Sequence, residues 1–126
     1  MTELSPKEAY ALINRSQRLE VWDTRPRTRW TESHVAGSRC VPHEELVPNL
    51  EGCGCFTKIS TPRDTPILVY GVEESAAVLE RNGFTEVYVL KGGLAEWRAA
   101  GLPYLVPYAV GYVTRSDKVL FDVPPS

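Results

Sequence analysis

Short apolar runs separated by helix-like stretches constrain this chain more than any other feature. Residues 19–23 (Leu19-Glu20-Val21-Trp22-Asp23), 66–70 (Pro66-Ile67-Leu68-Val69-Tyr70) and 86–90 (Glu86-Val87-Tyr88-Val89-Leu90) read as strands. The middle run is continuously apolar, as in a strand buried on both faces of a parallel sheet. Between the last two lies a helical pattern over residues 72–82, with Ala76, Val78 and Leu79 apolar and Gly83 just past its end. Strands joined through a helix become parallel neighbours by a right-handed crossover. The expected fold is α/β, a parallel sheet with helices on both faces.

The flanking segments fit that plan. Ser5-Pro6-Lys7-Glu8 combines an N-cap serine, a proline at the first helical position and a capping-box glutamate. The first element is therefore read as a helix, with Ala9, Leu12 and Ile13 at helical spacing. A helical turn is predicted over residues 27–32, a second strand over 38–41, a short helix over 43–47 and a last helix over 94–100 closed by Gly101. Residues 48–66 show no period and read as a surface loop. The last twenty residues break the alternation: 108–113 and 118–123 are β-prone runs around a polar turn. The chain thus divides into a domain at 1–106 and a C-terminal β-hairpin extension at 107–126. A lone hairpin is marginal in water and must pack on something. It either covers this chain or meets a second copy; the apolar load of Tyr108, Tyr112, Leu120 and Phe121 favours a two-fold homodimer through residues 107–126.

With 126 residues, 43% of them hydrophobic and 24% charged, the chain has the composition of one globular domain. A domain of this size buries roughly two-thirds of its unfolded surface and needs no metal or disulfide to stay folded. Fourteen basic against sixteen acidic residues give a charge of −2, so no general field draws it to nucleic acid or an anionic membrane. The cluster Arg25, Arg27 and Arg29 reads as a solvated or ion-paired surface. No segment approaches a membrane span and the N-terminus lacks a signal pattern; three cysteines make no closed disulfide framework. The location expected is cytoplasmic, with no cofactor.

Two separated motifs carry a family likeness. The first is Val21-Trp22-Asp23-Thr24-Arg25, then Trp30, His34-Val35-Ala36-Gly37 and Val41-Pro42. The second is Gly83-Phe84-Thr85, then Val87-Tyr88-Val89-Leu90-Lys91-Gly92-Gly93, Trp97 and Gly101-Leu102-Pro103. In order and spacing these resemble the rhodanese-like family over nearly all of residues 4–103. The resemblance implies a five-stranded, mostly parallel sheet. In active members it implies a cysteine at the end of the central strand, which carries a persulfide sulfur between thiosulfate-like donors and a thiol acceptor.

The chain departs from that pattern after Tyr70. It continues Gly71-Val72-Glu73-Glu74-Ser75-Ala76, without the cysteine and its loop. Counting back from Gly83-Phe84 keeps the helix and places the whole deficit on the loop; aligning Ser75 with the family's serine would shorten the helix instead, and still supplies no cysteine. Sulfur transfer needs a thiolate stabilised by a positive field, and a cradle of N–H groups for the anionic donor. Gly71 offers no nucleophile, and Glu73 and Glu74 in the first helical turn take the place of the anion. The remnant pocket is thus Gly71, Val72, Glu73 and Glu74. The family-motif residues Asp23, Arg25, His34, Gly37, Gly92, Gly93 and Trp97 read as structural: Asp23 and Arg25 pair to fix a turn, His34 is hydrogen-bonded in a turn, and Trp97 is a core or crevice aromatic.

The cysteines leave three readings open. Cys40 reads as a small buried hydrophobe. Cys53 and Cys55 are ordinary loop cysteines, or carry sulfur or sense oxidation, one attacking and the other resolving. With Cys40 and His43 they also number four candidate zinc ligands, although their spacing is not that of a zinc site. The leading expectation is a non-catalytic module that binds a protein or small-molecule partner; the alternative is a sulfurtransferase or persulfide carrier using Cys53 or Cys55.

Overall fold

The computed structural model describes residues 1–46 and 61–106, and the backbone of residues 119–120. In chain order the elements are β1 (Thr2–Leu4), α1 (Pro6–Arg15), β2 (Glu20–Asp23), α2 (Arg27–Glu32), β3 (His34–Val35) and β4 (Arg39–Cys40). A helical stretch at residues 43–46 is α3. Then come β5 (Ile67–Tyr70), α4 (Glu74–Arg81), β6 (Val87–Leu90), α5 (Gly93–Ala99), β7 (Tyr104–Leu105) and β8 (Val119–Leu120).

Five strands form a wholly parallel sheet in the order β1-β6-β5-β2-β4. β5 is its centre: Ile67, Leu68 and Val69 have no exposed surface. Side chains alternate across it, as pleating requires. Trp22, Ile67 and Val69 face a layer containing Ala76, Val78 and Leu79 of α4, with Val41 and Leu46. Val21, Leu68 and Tyr70 face the other layer, with Ala9 of α1, Trp97 of α5, Val35 and Tyr104. Burying each large apolar side chain stabilises the fold by roughly 1.5–3 kcal/mol, so the two clusters dominate its energetics.

The first helix forms as its capping signals dictate. Ser5 Oγ accepts from Glu8 N at 3.2 Å and Glu8 Oε1 accepts from Ser5 N at 2.9 Å. The first element, however, is not that helix but β1. Its three residues carry no alternating pattern; it forms because β6 offers a free edge, with Thr2 opposite Tyr88 and Leu4 opposite Leu90. α4 starts at Glu74, later than residue 72: Val72 and Glu73 lead into it through tighter turns, with Ser75 N–H donating to Val72 O and Ala76 N–H to Glu73 O.

A second, antiparallel sheet in the order β3-β7-β8 was not foreseen. It puts His34 in a strand rather than a turn, opposite Leu105. The run 108–113 lies outside the described residues. Val119 and Leu120, from the second β-prone run, pair with Leu105 and Tyr104 of the same chain.

Candidate functional site

At the carboxyl ends of β2 and β5, Asp23 lies beside Tyr70 in register. The next residue, Thr24, therefore meets the turn that leaves β5. Its N–H donates to Tyr70 O at 2.9 Å, its hydroxyl donates to the same oxygen at 3.0 Å, and that hydroxyl accepts from Val72 N at 2.9 Å. Thr24 is fully buried, and sequence reading passed it over as the middle of the Asp-x-Arg motif. Its signal was position alone.

Residues 71–73 make the whole connection from β5 to α4. Gly71 has φ +112°, and a Cβ there would lie 2.8 Å from Arg25 Cγ and 2.9 Å from Arg25 N. A side chain at position 71 meets backbone as well as an unfavourable φ, so the turn admits glycine. The N–H groups of Val72, Ser75 and Ala76 are bonded to Thr24 Oγ1, Val72 O and Glu73 O. They are not free to cradle an anion.

Asp23 and Arg25 form a two-pronged pair: Arg25 Nε lies 3.0 Å from Asp23 Oδ1 and Arg25 Nη2 2.6 Å from Asp23 Oδ2. Arg25 Nη2 also donates to Ser33 O at 2.7 Å, tying the end of β2 to the start of β3. Burial acts to lower the Arg25 pKa, but the hydrogen bond and charge of Asp23 outweigh it and hold the guanidinium above the ordinary arginine value. The Tyr70 hydroxyl accepts from Val35 N at 3.0 Å and meets Ser38 Oγ at 3.3 Å. Burial first, then the charge of Asp23, pushes its pKa far up, so it stays a neutral phenol.

Across the site, Gly92 and Gly93 turn the chain from β6 into α5 at φ +77° and +62°. The space between this turn and the Gly71 turn is a cleft of about 320 Å³, lined by Arg25, Val72, Glu73, Leu90, Leu94 and Ala95 among others. Glu74, beside Glu73 at the start of α4, is exposed. Gly71, Val72 and Glu73 of the expected remnant pocket, with Gly92 and Gly93, do come together here.

The other motif residues lie deeper or elsewhere. His34 is buried, donates from Nδ1 to Trp30 O at 2.8 Å and stacks on the Trp30 ring at 3.8 Å. Trp97 is a core residue whose Nε1–H donates to Pro103 O at 2.7 Å. Gly37 sits in an open turn at φ +82°. Cys40 pairs in register with Asp23, while its neighbour Val41 packs on the α4 layer. His43 reaches that α4 side, with Nδ1 2.7 Å from Ser75 Oγ. Cys40 and His43 therefore point to opposite faces of the sheet. No group of three metal-binding side chains occurs among the described residues, and Cys53 and Cys55 lie outside them. No helix among the described residues is long and apolar enough to cross a membrane.

Comparison with known proteins agrees with the fold. Residues 5–100 match the sequence model of the rhodanese-like domain. The chain is 33% identical over 101 residues to YibN of Escherichia coli K12, a match covering 76% of this chain and 66% of that protein. It is 30% identical over 112 residues to the thiosulfate sulfurtransferase GlpE of Actinobacillus pleuropneumoniae, covering 85% and 95%. Among solved structures, the Alr3790 protein of Anabaena superposes with a TM-score of 0.69 at 26% identity, over 80% of this chain and 78% of that one.

Proposed function

The chain belongs to the rhodanese-like domain family, and we propose that it is a non-catalytic member, a cytoplasmic module that binds a partner through the cleft beside Gly71. The observation that carries this reading is the turn itself. Where a sulfurtransferase needs a cysteine, residue 71 is a glycine whose Cβ position is occupied by the backbone of Arg25. Thr24 holds Val72 N–H, which supports the same conclusion for the donor cradle. The relative named a thiosulfate sulfurtransferase is 30% identical to this chain over 112 residues. The reading here is that this chain retained the scaffold and lost the chemistry.

The second reading is a persulfide carrier using Cys53 or Cys55, two thiols in the segment between β4 and β5. A cyanolysis assay with thiosulfate on the wild type, Cys53→Ser and Cys55→Ser separates the two. No turnover is expected from any of the three. Turnover lost in one of the serine variants would replace the module reading with the carrier.

A further inference from the structure

We propose that the cleft takes a lysine side chain of a partner protein, its aliphatic stem along Val72, Leu90 and Leu94 and its ammonium group at Glu73 and Glu74. This rests on reading the chain as a binding module. Volume is the first argument: about 320 Å³ is at the small end of the roughly 300–1,000 Å³ of metabolite pockets and suits one long side chain. The lining is the second. Val72, Leu90, Leu94 and Ala95 offer apolar surface to a methylene stem, which lysine buries readily while its charged end stays in water.

Charge is the third argument and decides the ligand's sign. Arg25, the one cation lining the cleft among the described residues, is already paired with the buried Asp23. Glu73 lines the cleft and Glu74 adjoins it; both are exposed, and neither forms an ion pair among the described residues. Lys91, on the opposite turn, is not among the lining residues. Beyond what they lend to the start of α4, Glu73 and Glu74 thus offer the mouth two carboxylates without an ion-pair partner among the described residues, and these select a cation. An anionic donor meets the opposite field.

The test uses the full-length chain and three blocked tripeptides, Gly-Lys-Gly, the same peptide with its lysine ε-acetylated, and Gly-norleucine-Gly, with thiosulfate as the anion. Amide signals of Gly71, Gly92 and Gly93 are followed by NMR. The lysine peptide is expected to shift all three saturably, and the acetylated and norleucine peptides to bind about tenfold more weakly. Glu73→Gln with Glu74→Gln should bring the lysine peptide down to the level of the neutral ones. Ala95→Phe, at an exposed lining position, should abolish the shifts while leaving the rest of the spectrum unchanged. Equal binding of the acetylated peptide, undiminished binding to the Ala95→Phe protein, or saturable shifts from thiosulfate alone would each overturn the proposal. Absence of lysine-peptide shifts would overturn it too, without restoring the carrier reading, which stands or falls on cyanolysis.

Discussion

At the scale of single residues, the site is governed by what cannot be placed in it. Gly71→Cys restores a thiol at the end of the central strand, yet its Cβ meets Arg25 N at 2.9 Å and its φ is positive. Strain of this kind costs roughly 1–3 kcal/mol, so the variant is expected to lose that much in urea unfolding and to gain no cyanolysis activity. A stable, active Gly71→Cys protein would contradict the account of the turn. Cys40 makes a second residue-scale case. Burial, ahead of the mixed charges of Arg27, Asp23, Glu45 and Arg25, raises its thiol pKa above the ordinary value. Since the thiolate is the nucleophile, Cys40 should alkylate with iodoacetamide more slowly at neutral pH than a free-cysteine peptide, its rate still climbing where the peptide's has levelled off. Peptide mapping after timed labelling measures this.

Among the elements, α1 is set by local sequence and β1 by its neighbour. Ser5→Ala removes the acceptor for Glu8 N–H and should destabilise the chain by about 1 kcal/mol in denaturant titration. Glu8 has the complementary effect on pH dependence. Its hydrogen bond from Ser5 N–H, then that from the Ser5 side chain, lowers its pKa below 4.5. A carboxylate with a depressed folded pKa stabilises the fold above its unfolded pKa and loses that contribution as pH falls through the folded value. The melting-temperature gap between wild type and Glu8→Gln should therefore be present at neutral pH and shrink on acidification below about pH 4.5. A gap that widens in acid would reverse the assignment. For β1 no local substitution has comparable leverage, because its stability comes from the β6 ladder.

For the whole molecule, the question is what residues 107–126 contribute. Among the described residues, both hydrophobic clusters and the side chains packed on them lie between Leu4 and Val106. Truncation after Pro107 should therefore leave one cooperative unfolding transition, and its loss would make the tail part of the core. The apolar load of the tail motivates our proposal of a homodimer, in which case full-length protein sediments as a dimer and the truncated chain as a monomer. The pairing of β8 with β7 within one chain favours the other arrangement, a tail that lies back on its own domain. A full-length monomer at every concentration would decide for it.

By itself the sequence determined the elements whose signals are local. The capping box started α1, the apolar run 66–70 marked β5 as the buried centre, and Gly83 and Gly101 closed their helices. It also directed attention to the turn after Tyr70, where Gly71-Val72-Glu73-Glu74 stands without a cysteine. Only tertiary structure decided β1, β3 and β7, whose two or three residues become strands because a partner edge is waiting for their backbone groups. It alone revealed Thr24, whose hydrogen bonds reach residues 46 and 48 positions away, and the pairing of His43 with Ser75 across 32 positions. No sequence period encodes such contacts. They arise when the parallel ladder sets Asp23 beside Tyr70, and that register also makes glycine the residue that fits at position 71.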